Sequence, residues 1–220
     1  MMKVGKNDSM KRKSRYVTFA EIALDIASAT LPRYAHPKSP QRYTMRQLGA
    51  CVLLMVYMDL TYRDMEEWLL ASDKVCDALG LKETPDHTTL ARTHAKITAE
   101  QWQAMLRTLL ERLDPKAEAA MAVDSTRFAL SNASATYISR TGRKMQNWIK
   151  GGYIVGIESK LILGCHNIWG TRPDFDLLAI LSGLAAPYGE RCTETGKRDW
   201  VLLGDKGFDS STTTELDLVP

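Results

Sequence analysis

From Thr44 to about Leu113 the apolar residues recur with a helical period. Leu48, Val52, Met55 and Val56 share one face of a segment that Thr44 can cap and that runs through Met58. Thr61 can cap a second helix over Tyr62 to Ala71, and Ser72 a short one ending at Gly80, a glycine placed as a C-cap. After Pro85, Asp86 or Thr88 can open a helix through Ile97. Thr98 can open another from Ala99 to Leu113, which Asp114-Pro115 closes. An earlier helix is predicted over Phe19 to Ala29, stopped by Leu31-Pro32, and the two prolines of His36-Pro-Lys-Ser-Pro40 mark a linker.

Beyond Lys116 the texture changes. Strand-like runs occur at 121–130, 152–158, 161–168 and 200–204, and Ser159-Lys160 separates two of them at hairpin distance. An apolar helical stretch, Phe175 to Leu184, precedes a polar loop from Pro187 to Arg198. The order strand, strand, strand, helix, strand describes a sheet domain of α+β or α/β type. The predicted organisation is a basic segment over 1–43, disordered through residue 18 and carrying one helix, a helical domain over 44–115, and a mixed-sheet domain over 116–220.

With 220 residues, 45% apolar and 25% charged, the chain can bury a core. Its longest apolar run, Gly49 to Met58, is ten residues, half of the ~20 that a membrane span needs. No apolar signal segment follows Lys11-Arg-Lys13, so the expected location is cytoplasmic. Cys51, Cys76, Cys165 and Cys192 form no CxxC pair, which favours reduced thiols over a zinc site or disulfide framework.

The net charge of +3 conceals an uneven distribution. Residues 1–46 hold ten Lys or Arg against three acids, whereas residues 47–115 hold seven basic against eleven acidic residues. From Arg127 to Lys150 there are five basic residues, Arg127, Arg140, Arg143, Lys144 and Lys150, and no acid. Basic blocks of this kind suit a polyanionic partner, most simply nucleic acid.

Two aspartates carry the candidate chemistry. Asp124 lies in Met121-Ala-Val-Asp-Ser-Thr-Arg-Phe128, and Asp205 in Trp200-Val-Leu-Leu-Gly-Asp-Lys-Gly-Phe-Asp209. Alone, each reads as a strand-end aspartate capping a turn. Together, at the ends of strands in one predicted sheet with a basic stretch between them, they point to a divalent-metal pair. A carboxylate among apolar residues is costly to desolvate unless it is paired or ligates a metal. Hard cations such as Mg²⁺ take carboxylate oxygens and leave positions open for phosphate and water.

The segments Ala122-Val-Asp-Ser-Thr126 and Gly204-Asp-Lys-Gly-Phe-Asp-Ser210 resemble the first two acidic motifs of prokaryotic insertion-sequence DDE transposases, most closely the groups called insertion-sequence families four and five. The helical region is also similar to the one that precedes their catalytic domain, through Tyr62-Arg-Asp-Met-Glu-Glu-Trp-Leu69, Leu79-Gly-Leu81 and Pro85-Asp-His-Thr-Thr-Leu-Ala-Arg92. The likeness covers about residues 42–212, with the two acids 81 residues apart.

The resemblance implies a ribonuclease-H-like catalytic fold, Asp124 on its first strand and Asp205 at the end of a later one. It further implies two Mg²⁺ (or Mn²⁺) ions, double-stranded DNA as partner, a homodimer on paired ends and a place beside the nucleoid. It implies no membrane and no small-molecule substrate. In the family a glutamate well downstream completes the ligand set. Glu215, ten residues past Asp205 in Thr-Thr-Thr-Glu-Leu, reads as a surface helix residue, so the chain is expected to be truncated before the third acid. Phosphates would be held by Arg127, Arg140, Arg143, Lys144 and Lys150, after the first catalytic strand. Trp148 and Tyr153 are placed either to stack on an unpaired base or to pack in the core.

Two further readings follow from the residues. One is a catalytically inert derivative that binds DNA or a full-length partner; the other is a nuclease without end recognition. His87 and His94, seven apart on one predicted helix, face one side and are expected to pack and not to bind metal. That helix, with Arg92 and Lys96, is compatible with either a recognition helix or a packing helix.

Overall fold

The computed structural model describes residues 13–36, 38, 41–129, 148–170, 172–191, 196, 199–205 and 208. The chain divides into two compact units, Met1–Leu109 and Leu110–Pro220.

The first unit is helical: α1 (Arg15–Thr30), α2 (Met45–Tyr57), α3 (Tyr62–Leu70), α4 (Asp73–Ala78), α5 (His87–His94) and the start of α6 (Ala99–Leu113). The caps form largely where the sequence predicts them. The Thr44 and Thr61 hydroxyls accept N–H bonds from Gln47 and Asp64, whose side chains reach back to complete capping boxes on α2 and α3. Asp86 caps α5 through the Thr89 N–H at 2.9 Å. Thr98 and Gln101 exchange the same pair of bonds at the head of α6. Only Ser72 makes no side-chain cap bond.

The first helix departs from expectation. It starts at Arg15, inside the segment predicted to be disordered, and it does not stand apart from the helical domain. Ala20, Ala23, Ile26, Ala27 and Leu31 are buried in the same core as Leu48, Val52, Leu54, Met65, Leu69 and Leu90. Alanines at this spacing present a smooth face that α2 packs against closely. At Gly49 an added Cβ would lie 2.5 Å from Leu31 Cδ1. The unit boundary therefore falls within α6, after Leu109, and the helix of the 1–43 segment belongs to the helical unit.

The second unit is a mixed four-stranded sheet with one helix against it, an α+β arrangement. The strands are β1 (Ala120–Ala129), β2 (Trp148–Gly156), β3 (Ile162–Trp169) and β4 (Val201–Leu203), in the order β3-β2-β1-β4. β1 pairs antiparallel with β2 and parallel with β4, and β2 pairs antiparallel with β3. Helix α7 (Phe175–Ala185) connects β3 towards β4 and packs on β2 and β3. Gly152 permits that approach: a Cβ there would sit 2.8 Å from Leu181 Cδ1 and 3.0 Å from Leu177 Cδ1. Val123, Ile154, Leu163, Leu177, Leu181 and Leu202 are buried in this unit. Side-chain alternation then turns Asp124 and its partner Tyr153 to the opposite face from Val123 and Ile154. Among the described residues no helix is long and apolar enough to cross a membrane.

Glu118, just ahead of β1, is fully buried. Its carboxylate accepts the Glu158 and Ser159 N–H groups, both at 2.9 Å, and so holds the β2–β3 turn. Its own backbone bonds Tyr188 and Glu190 on either side of Gly189. Gly156 makes room for it, because a Cβ there would come within 2.2 Å of Glu118 Oε1.

Candidate functional site

The last paired positions of β1 and β4 are Ala122 and Leu203. Asp124 and Asp205 each lie two residues further on, Asp124 within β1 and Asp205 just past the end of β4. Neighbouring strands run about 4.8 Å apart, a spacing from which two carboxylates reach a common ion. Gly204 keeps the chains close at the intervening position, where a Cβ would meet Val123 Cγ1 at 3.0 Å. The Phe208 N–H donates to the Asp205 carbonyl at 3.1 Å, and Phe208 is buried.

Both aspartates are exposed. The Asp124 carboxylate accepts the Ser125 N–H at 2.7 Å, which fixes its orientation without using up its oxygens. Exposed carboxylates are hard-oxygen groups of the kind that Mg²⁺ or Mn²⁺ takes. Among the described residues no group of three or more His, Cys, Asp or Glu converges to hold a metal.

The predicted basic set is only partly within view. Arg127 is exposed on β1. Arg140, Arg143 and Lys144 lie outside the described residues, as does Glu215. Lys150 corrects the expectation. It is 2% exposed, its ammonium lies 2.6 Å from Asp174 and donates to the Arg172 carbonyl at 2.8 Å. An ammonium held this way is not presented to a DNA phosphate. Asp174, at the head of α7, also accepts the Ser125 hydroxyl and makes no cap bond to its own helix. Burial pushes the Asp174 carboxyl up. The hydrogen bonds from Lys150 and Ser125, with the charges of Lys150 and Arg127, outweigh it and hold the group below its ordinary range. Asp174 was missed in the sequence because Arg-Pro-Asp before an apolar helix reads as an ordinary cap.

In the helical unit His87 and His94 both turn to α3, as packing residues. His87 meets Glu66 Oε2 through its N–H at 2.9 Å and Nδ1 at 2.6 Å. His94 Nδ1 meets the Tyr62 hydroxyl at 2.8 Å, and its ring lies edge-on to Trp102. The outward side of this segment is then Thr88, Arg92, Ala95 and Lys96, at successive helical spacing and all exposed. A cleft of about 570 Å³ beside it is lined by Thr61, Arg63, His87, Thr88 and Arg92. Cys51 is fully buried, and burial pushes its thiol up to about 12, which makes it an inert core residue.

No protein-family model matches this chain, and no curated protein matches it.

Proposed function

We propose that the chain is a DDE-transposase-type protein that binds transposon-end DNA and, with a third carboxylate, performs metal-dependent strand cleavage and transfer. The observation that supports this reading is the parallel pairing of β1 with β4, whose last pair, Ala122 and Leu203, lies two residues before Asp124 and Asp205. The resemblance implied a first aspartate on the first strand and a second at the end of a later one. A mixed sheet whose first and fourth strands are neighbours supports the ribonuclease-H-like reading.

Asp124 and Asp205 would hold Mg²⁺ or Mn²⁺, which when bound activates a water or 3′-hydroxyl and offsets charge on the leaving oxygen. The chain's own part is to orient the Asp124 carboxylate through the Ser125 N–H. Arg127 is exposed, but on the Val123 and Ser125 face of β1, opposite Asp124, where its charge acts on Asp174. The test is incubation of duplex DNA, taken from the regions flanking the gene, with the protein and Mg²⁺ or Mn²⁺. Cleavage leaving a 3′-hydroxyl is expected, lost in both Asp124→Ala and Asp205→Ala. Cleavage unchanged in either variant removes that aspartate from catalysis.

The exposed cations of the α5 region extend the DNA-binding part of the proposal. Arg92→Glu with Lys96→Glu is expected to weaken duplex binding and to reduce the slope of log affinity against log salt by about 2, one phosphate contact per residue. Fluorescence anisotropy across a salt series reads both. An unchanged slope would take this face out of the interface.

A second reading is a DNA-binding derivative without strand-transfer activity. Duplex binding without cleavage in either metal would support it.

A further inference from the structure

Three facts about the sheet unit belong together. Lys150, the third residue of β2, has almost no exposure and spends its charge on Asp174 and the Arg172 carbonyl. Asp174 stands where an aspartate ordinarily caps the following helix, yet it bonds Ser125 and Lys150 instead. Ser125 in turn directly follows Asp124 and donates its N–H to that carboxylate. An ammonium is costly to bury, and an apolar residue at this position would hold a sheet and helix together without that cost. The arrangement makes physical sense if the fixed geometry at Ser125 is what the buried charge provides.

We propose that Lys150 is a positioning residue for the Asp124 end of the carboxylate pair. It pins Asp174, Asp174 pins the Ser125 side chain, and the strand segment so fixed holds the Ser125 N–H on the Asp124 carboxylate. This rests on the metal reading of Asp124 and Asp205 only in its consequence for metal affinity; the clamp on position 125 stands by itself. It also explains why a lysine that opens towards a basic stretch in the sequence is turned inward. Groups oriented through an outer shell of this kind typically change metal affinity 10- to 100-fold when that shell is cut.

Two readouts on the same protein test it: amide hydrogen exchange at position 125, compared with the core amide of Ile154, and Mn²⁺ affinity by water-proton relaxation. In Lys150→Met, exchange at position 125 is expected to accelerate about tenfold relative to Ile154, and Mn²⁺ affinity to fall about tenfold. Lys150→Arg keeps a cation and is expected to recover most of both. Should Lys150→Met fail to fold, Ser125→Ala cuts the same link without stranding a buried charge and carries the same expectation. Unchanged exchange at position 125 in these variants overturns the clamp. Exchange that responds while the parent protein binds no Mn²⁺ upholds the clamp and overturns the metal reading alone.

Discussion

Glu118→Ala is expected to destabilise the sheet unit by about 3 kcal/mol, from two buried N–H groups left without an acceptor and a cavity where the carboxylate stood. Glu118 has no exposure and takes both the Glu158 and Ser159 N–H bonds at the β2–β3 turn. Removing it frees the turn in which Lys160 holds a positive φ of 59°. With a urea dependence of about 2 kcal/mol per molar, the unfolding midpoint should fall by about 1.5 M. Amides of β2 and β3 should lose protection before those of the helical unit. A midpoint within the error of the parent would show that the turn holds without it.

The same residue gives a pH dependence with a definite sign. Burial raises the Glu118 pKa, but the Ser159 hydroxyl, the two N–H bonds and the Lys160 charge outweigh it, and the net shift is downward. A carboxyl whose folded pKa lies below its unfolded value contributes stability above the unfolded pKa, about 4.3, and loses it as pH falls through the folded value. Acid destabilisation attributable to Glu118 is therefore expected below about pH 4. Glu118→Gln, which keeps the shape and loses the titration, should show a shallower acid limb than the parent.

The second large effect is on metal. Asp124→Asn or Asp205→Asn alone is expected to lower Mn²⁺ affinity about 100-fold, equivalent to about 2.7 kcal/mol. On the proposed reading each exchange removes one of two anionic oxygen ligands and leaves a neutral amide of the same shape. Both positions are exposed, so neither change should move the unfolding midpoint by more than a few tenths of a molar. A loss of stability on that scale without a loss of Mn²⁺ affinity would mark the pair as structural.

Much of the fold was legible because its signals are local. The capping threonines at 44, 61 and 98 stand next to apolar periodic runs, and a cap needs no information from far along the chain. The hairpin at Ser159-Lys160 and the helix from Phe175 were legible for the same reason. The start of α1 was not. Arg15 to Thr18 follows a basic stretch, and what makes it helical is the Ser14 cap and the packing of Tyr16, Val17 and the small residues further along on the core. Alanine contributes little to a periodicity reading although it packs fully.

The candidate pair was legible as two motifs, but its register was not, since parallel pairing across about 80 residues leaves no mark on either strand alone. Lys150 shows the opposite failure. By composition it belongs with Arg127, Arg140, Arg143 and Lys144, whereas its place in β2 and a partner at Asp174 turn it inward. Glu118 carries no local signal, because its acceptor role depends on a turn 40 residues away. In each case the deciding interaction joins positions that no local window contains.

The most direct test is where a bound Mn²⁺ ion sits. Mn²⁺ titrated into isotope-labelled protein should broaden the amide signals around 122–126 and 203–205 first and together, and Asp124→Asn should abolish both sets at once. Broadening confined to one of the two segments, or centred on other acidic residues, would contradict a shared site built on Asp124 and Asp205.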